Sequence, residues 1–243
     1  ALMNFDEVTA NTFQYLIDGS AAIRNRVQAA GKQVRYTAYG YHGTEILIGG
    51  DYLWQTYTNY TQGHAKMRLE QVAKNAWAQG VKATVFNCPE IRTNSSDIFV
   101  GVELSLFPLL QALKKEGGAA WADAQWQTCQ ALLQDGHSVD SLLATISSYN
   151  ASETMQGFRN FAAWPMDNSE ALAETMIGTS EGITQMHKDT KALITDHLSS
   201  LVLEAAGPLM FHGAANSEAP VYWLNHDVVA KQLNSLHSEV KGA

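Results

Sequence analysis

The stretch VRYTAYGYHGTEILIGG, residues 34–50, decides the fold, because here the apolar spacing changes from helical to alternating. Val34 to Tyr39 and Glu45 to Gly49 read as short strands rich in β-branched and aromatic residues. Between them, Gly40-Tyr41-His42-Gly43 carries two glycines, the usual source of positive φ in a tight connection. The expectation is therefore a hairpin with its turn at Gly40–Gly43, closed by Gly49-Gly50.

Upstream, Phe13, Leu16, Ile17, Ile23 and Val27 follow helical spacing, which predicts a helix over Asp6–Ala30. Downstream, a helix is expected over His64–Gln79 and a third strand over Val81–Phe86. A right-handed crossover would set the second and third strands parallel. Beyond Asn94 the pattern is almost entirely helical. Pro108 is expected to divide a helix that ends at Lys115, and Gly117-Gly118 to break the chain. Shorter helices are predicted near Ala119–Leu133, Val139–Ser148 and Ser152–Ala163. A long helical stretch over Ser169–Ala206 should break near Gly178 and Gly182 and stop at Gly207-Pro208, with a final helix over Val221–Val240.

The fold class is thus α+β, predominantly helical: a small three-stranded N-terminal sheet (hairpin plus one crossover strand) followed by a helical half with one long helix. A single domain over 1–243 is preferred to a division into 1–116 and 119–243.

Composition narrows the function classes. The net charge is −8, and residues 122–243 hold 5 basic against 14 acidic groups, while residues 1–121 hold 11 against 10. A chain without a basic stripe is a poor nucleic-acid or anionic-membrane ligand. The apolar run Ile98–Leu113 contains Glu103 and Pro108 and is too short to span a bilayer, so a soluble protein with no transmembrane segment is expected. Asn, Gln, Ser and Thr make up about a quarter of the chain, and the sequence opens at Ala1. Both lean toward an extracytoplasmic (periplasmic or secreted) protein, although a remnant preceding Met3 would read the same way. Cys88 and Cys129 allow one disulfide or two buried thiols.

Six of the nine tyrosines lie between Tyr36 and Tyr60, together with Trp54. Broad apolar rings with polar tips suit a protein interface, a stacked sugar or a small internal core. Tyr39, Tyr41, Trp54 and Tyr57 are the candidate binding anchors. For catalysis, Glu103 sits in an apolar run that would raise its pKa, with Glu45 or Asp51 as the second carboxylate of a glycan hydrolase. Cys88, at a strand end, could act as nucleophile with His64 or His42 as base and Asp51 as orienter. No GxGxxG, Walker, HExxH or EF-hand pattern is present, and His187 and His197 lack ligand spacing, so no cofactor or metal is expected.

These observations favour a non-catalytic binding or assembly subunit working through protein contacts or self-assembly, with carbohydrate as an alternative ligand. A hydrolase of glycan or peptide substrates and a secreted effector or toxin are the alternatives.

Overall fold

The computed structural model describes residues 2–56, 61–93, 100–117, 119–157 and 170–239. The chain opens as α1 (Leu2–Asp6), passes through a π-helical turn (Glu7–Asn11) into α2 (Thr12–Gly19), and bends at Ser20 into α3 (Ala21–Ala29). Ala10, Phe13 and Ile17 form the buried stripe of this arm. They pack with Tyr36, Leu69, Ala73, Ala76, Ala83 and Val85 into a small core of their own.

Two sheets come next. β1 (Arg35–Gly40) leads into a hairpin of β2 (Gly43–Ile48) and β3 (Asp51–Thr56), then α4 (Thr61–Ala78) and β4 (Lys82–Asn87). β1 and β4 pair in parallel from Arg35↔Lys82 to Gly40↔Asn87. On the other side of β4 runs β5 (Val221–Trp223), also parallel, with Val85↔Val221 and Asn87↔Trp223 in register. The sheet order is therefore β1-β4-β5, and β2-β3 stands apart as a two-stranded antiparallel ribbon. The central strand β4 is buried from Ala83 to Asn87, as a parallel strand covered on both faces must be.

The strand pairing corrects the sequence reading. The hairpin turn lies at Gly49-Gly50, not at Gly40–Gly43, and the parallel partner of the 82–87 strand is β1 rather than β2. A two-residue hairpin loop wants positive φ at both positions, and Gly49 (φ 61°) and Gly50 (φ 95°) supply it. Gly40 serves a different purpose: a Cβ there would lie 2.4 Å from Asn87 Oδ1 and 2.7 Å from Val85 Cγ1. It is a glycine because β4 comes too close for a side chain.

The helical part consists of α5 (Val102–Leu106), α6 (Leu109–Lys115), α7 (Ala119–Ala131), α8 (Val139–Asn150), α9 (Glu153–Gly157), α10 (Glu170–Gln185), α11 (Ile194–Ala215) and α12 (His226–Glu239). It encloses the larger core, with α6 burying Leu109, Leu110, Ala112 and Leu113. Pro108 separates α5 from α6 as expected. Ser138 caps α8, reciprocated by Ser141.

Three expectations for the C-terminal half fail. α10 runs through Gly178 and Gly182, and the break falls instead after Gln185. α11 continues through Pro208 to Ala215, so the ring is accommodated within the helix although it can offer no N–H to the carbonyl of Glu204. The predicted 221–240 helix begins only at His226, since Val221–Trp223 pairs with β4 and Tyr222 stacks on Phe86 at 5.2 Å. The predicted boundary at Asp97, the Asp167–Glu170 cap and the end of the 152–163 helix fall outside the described residues. The fold class itself stands: α+β and mostly helical. Among the described residues no helix is long and apolar enough to cross a membrane.

Cys88 and Cys129 are both buried, unbridged thiols in the larger core. Burial pushes each thiol up to about 12. A thiol reagent applied to the native protein should therefore label neither residue, and both should react after denaturation without any reductant. Gly40→Ala should cost about 1–3 kcal/mol in denaturant titration through overpacking against β4. Gly182→Ala, on an open helical surface, should gain about 0.5–1 kcal/mol.

Candidate functional site

The three parallel strands end level with one another, at Gly40, Asn87 and Trp223. In open sheets of this kind ligands settle in the crevice beyond the carboxyl ends of the strands. The residues carried there are Tyr41 and His42 after β1, Cys88 to Glu90 after β4, and Leu224 to His226 after β5. The helix α4 supplies the fourth wall. Lys66 and Glu70, four residues apart, share the face directed at this edge, whereas His64 and Arg68 lie nearly opposite and face Asp6.

Glu70 organises the crevice. Its Oε1 accepts from Asn87 Nδ2 at 2.9 Å and pairs with His42 Nδ1. The His42 backbone N–H donates in turn to Asn87 Oδ1 at 3.4 Å. All three residues are buried. The His42 ring then meets two indoles, Trp54 at 5.0 Å and Trp223 at 5.1 Å, and these meet each other edge to face at 5.1 Å. Both indoles remain half-buried, so part of each ring stays available.

Beside this box lies a second cluster. Lys66 Nζ donates to the Tyr39 carbonyl at 3.1 Å and stands 4.6 Å from the centre of the Tyr41 ring. Burial pulls its amine down to about 8, so it is partly neutral near physiological pH. The Tyr39 and Tyr41 rings are 6.1 Å apart, and Tyr39 shares a hydrogen bond with the Cys88 thiol. Deeper in, Glu90 accepts from Ser105 Oγ at 3.1 Å. Burial raises its carboxyl to about 7; the Ser105 bond opposes this and the neighbouring Glu103 charge adds to it. Among the described residues no cluster could hold a metal ion.

The sequence candidates are partly gathered here. Tyr39, Tyr41 and Trp54 reach the crevice, the first 38 % exposed and the others half-buried; Tyr57 lies outside the described residues. Tyr36 instead turns inward, with its hydroxyl 2.6 Å from Ser20 Oγ. The paired carboxylates do not assemble as expected. Glu45 is exposed and exchanges hydrogen bonds with Asn225, Asp51 is exposed at the hairpin turn, and the carboxylate that Glu103 meets is Glu90. Cys88 does reach the edge, but its raised pKa keeps it a thiol, and His64 points elsewhere on α4. Glu70, Asn87, Lys66, Trp223 and His226 do not stand out in the sequence. Only Asn87, one residue before Cys88 at a strand end, carries a positional signal.

A family model described as enoyl-acyl carrier protein reductase FabMG matches residues 1–233. Among solved structures, the apo form of FabMG, a novel type of enoyl-acyl carrier protein reductase, is 69 % identical with a TM-score of 0.92. It covers 98 % of this chain, which covers 54 % of it. The NADH-bound structure of FabMG is 63 % identical with a TM-score of 0.81, covering 97 % of this chain and 57 % covered in return. The chain thus spans about half the length of the solved chains it matches. No curated protein matches it. These likenesses overturn the expectation of a non-catalytic interaction subunit, and with it the hydrolase and effector alternatives, since the proteins matched are reductases. The chain belongs to the FabMG family of enoyl-acyl carrier protein reductases.

Proposed function

We propose that the protein containing this chain uses NADH to reduce the carbon–carbon double bond of enoyl thioesters on acyl carrier protein, and that the carboxyl-edge crevice is part of its active site. The observation that carries this reading is the relative, 63 % identical over nearly the whole of this chain, whose structure holds NADH.

The residues at the crevice fit the ring end of that cofactor. Trp54 and Trp223 present half-buried indole faces to a flat heterocycle. His226, three residues after Trp223, is fully buried, and neither ring nitrogen has a hydrogen-bond partner among the described residues. Burial lowers its pKa to about 3, so it stays neutral and offers one donor and one acceptor. Familiar dinucleotide folds pass from the first strand through a glycine-rich turn into a helix, whereas β1 here runs on into a hairpin.

NADH, when bound, would supply a hydride to the β-carbon of the enoyl thioester, the displaced electron pair resting on the thioester oxygen until a proton taken up from solvent at the α-carbon completes the reduction. The Lys66 ammonium and the Tyr41 hydroxyl are the groups suited to meet that charge, in a setting where burial strengthens the attraction. Glu70 holds the proton of His42 at Nδ1 and fixes the ring between the two indoles. The same indoles help keep water from the crevice.

Purified full-length protein should oxidise NADH in the presence of a short enoyl thioester and release the saturated product. Lys66→Met should lower kcat/KM about 10²-fold. The wild-type rate should also decline as pH passes about 8, where Lys66 loses its proton, and that limb should vanish in the variant. Stability moves the other way. Between about 8 and 10.5 the unfolded chain holds a proton on Lys66 that the folded one has released, so the unfolding free energy of wild type relative to Lys66→Met should rise with pH in that window, the two buried thiols acting equally on both proteins.

Glu70→Ala should cost about 3–5 kcal/mol of unfolding free energy, because it removes one partner of a buried pair. Retention of full stability in denaturant titration would show that His42 and Asn87 do not depend on it.

A further inference from the structure

An open groove of about 460 Å³ runs between the α1–α2 arm, β1 and α4. Its volume lies within the roughly 300–1,000 Å³ of small-molecule sites. Val8, Phe13, Leu16, Ala38 and Leu69 give the apolar part of the wall, and Thr9 and Thr12 interrupt it. Val8 and Leu16 are 67 % and 55 % exposed, so the arm leaves apolar surface uncovered on this side. Thr12, also in the wall, spends its hydroxyl on the Val8 carbonyl at 2.9 Å, which turns its polar tip away from any ligand.

Part of the wall is different. Tyr39 and Lys66 line it there, and both also belong to the carboxyl-edge cluster. A groove walled chiefly by apolar side chains, with one cation that it shares with the crevice, has the polarity of an acyl chain with one polar head. We propose that this groove receives the acyl chain of the thioester substrate, its carbonyl end at Lys66 and its hydrocarbon along Val8, Leu16 and Leu69. The proposal rests on the reductase reading above and assigns the part of the molecule that would sense chain length.

The test is a binding experiment that needs no turnover. Saturated fatty acids and the matching acyl-pantetheine thioesters, of six to ten carbons, are titrated into the full-length protein by calorimetry without NADH. The two series separate recognition of the hydrocarbon, which they share, from recognition of a free carboxylate. Affinity should rise about fourfold per added methylene in both, the equivalent of about 0.8 kcal/mol for each one buried.

The double variant Val8→Glu/Leu16→Glu alters exposed positions only and should bind the ten-carbon ligands at least thirtyfold more weakly. Ile23→Glu, equally exposed but outside the groove, should match wild type. A chain-length response that is flat, or a double variant indistinguishable from Ile23→Glu, would overturn the assignment. So would a double variant that keeps its chain-length response but loses its oligomeric state, which would give the face to a second copy of the chain. Reduction of a four-carbon enoyl thioester, measured in parallel, reports on the reductase reading separately, since so short a chain barely enters the groove.

Discussion

A single carboxylate holds the crevice together. Glu70 is reached from the end of β1 through His42 and from the end of β4 through Asn87, so one side chain on α4 fixes where two strands stop relative to the helix covering them. A buried anion is tolerated only when its acceptor sites are filled, so the three groups must arrive together or not at all. The rest of the edge is built on that arrangement. Gly40 must lack a side chain because Asn87 Oδ1 occupies the space, and His42 can bring Trp54 and Trp223 together only while its ring is held still.

Around this fixed point the structure places charges of opposite sign on one helical face. Glu70 turns toward the buried His42 and Asn87, and Lys66, one turn earlier, toward tyrosine rings and a backbone carbonyl. Burial acts on the cluster around Lys66 in two directions. It makes Lys66 easier to deprotonate and keeps Cys88 and Glu90 in their protonated forms over more of the pH range. The crevice therefore combines a mobile proton on a cation with acids that hold theirs near neutrality, a combination suited to chemistry in which charge appears and is then quenched.

The sequence revealed these features unevenly. Helical periodicity and Pro108 located most of the helices, because burying an apolar stripe is a local requirement that leaves a local pattern. Strand pairing was another matter. Gly40 and Gly49 look alike in the sequence, yet one is demanded by a close approach from β4 and the other by a turn, and only the partner strand tells them apart. The tyrosine cluster drew attention to the strand ends that carry Tyr39, Tyr41 and Trp54, while Tyr36 and Tyr52 were spent on internal contacts with Ser20 and Glu116. Glu70 left no trace, since a glutamate on a polar helix looks solvent-exposed until the strand ends that it serves are known. Three-residue β5 was hidden for a related reason: its pairing, not its composition, makes it a strand.

That third strand has a bearing on how the molecule comes into being. Thr84 in the middle of the sheet bonds to the carbonyl of Ala219, 135 residues further along. During synthesis the central strand must therefore wait, one edge unsatisfied, until the residues around Ala219 and β5 have left the ribosome, and the intervening helices must form without closing off its flank. Loops of that length are slow to close and leave an adhesive edge exposed meanwhile. The crevice, with Trp223 and His226 among its walls, consequently cannot be completed before β5 has paired with the central strand.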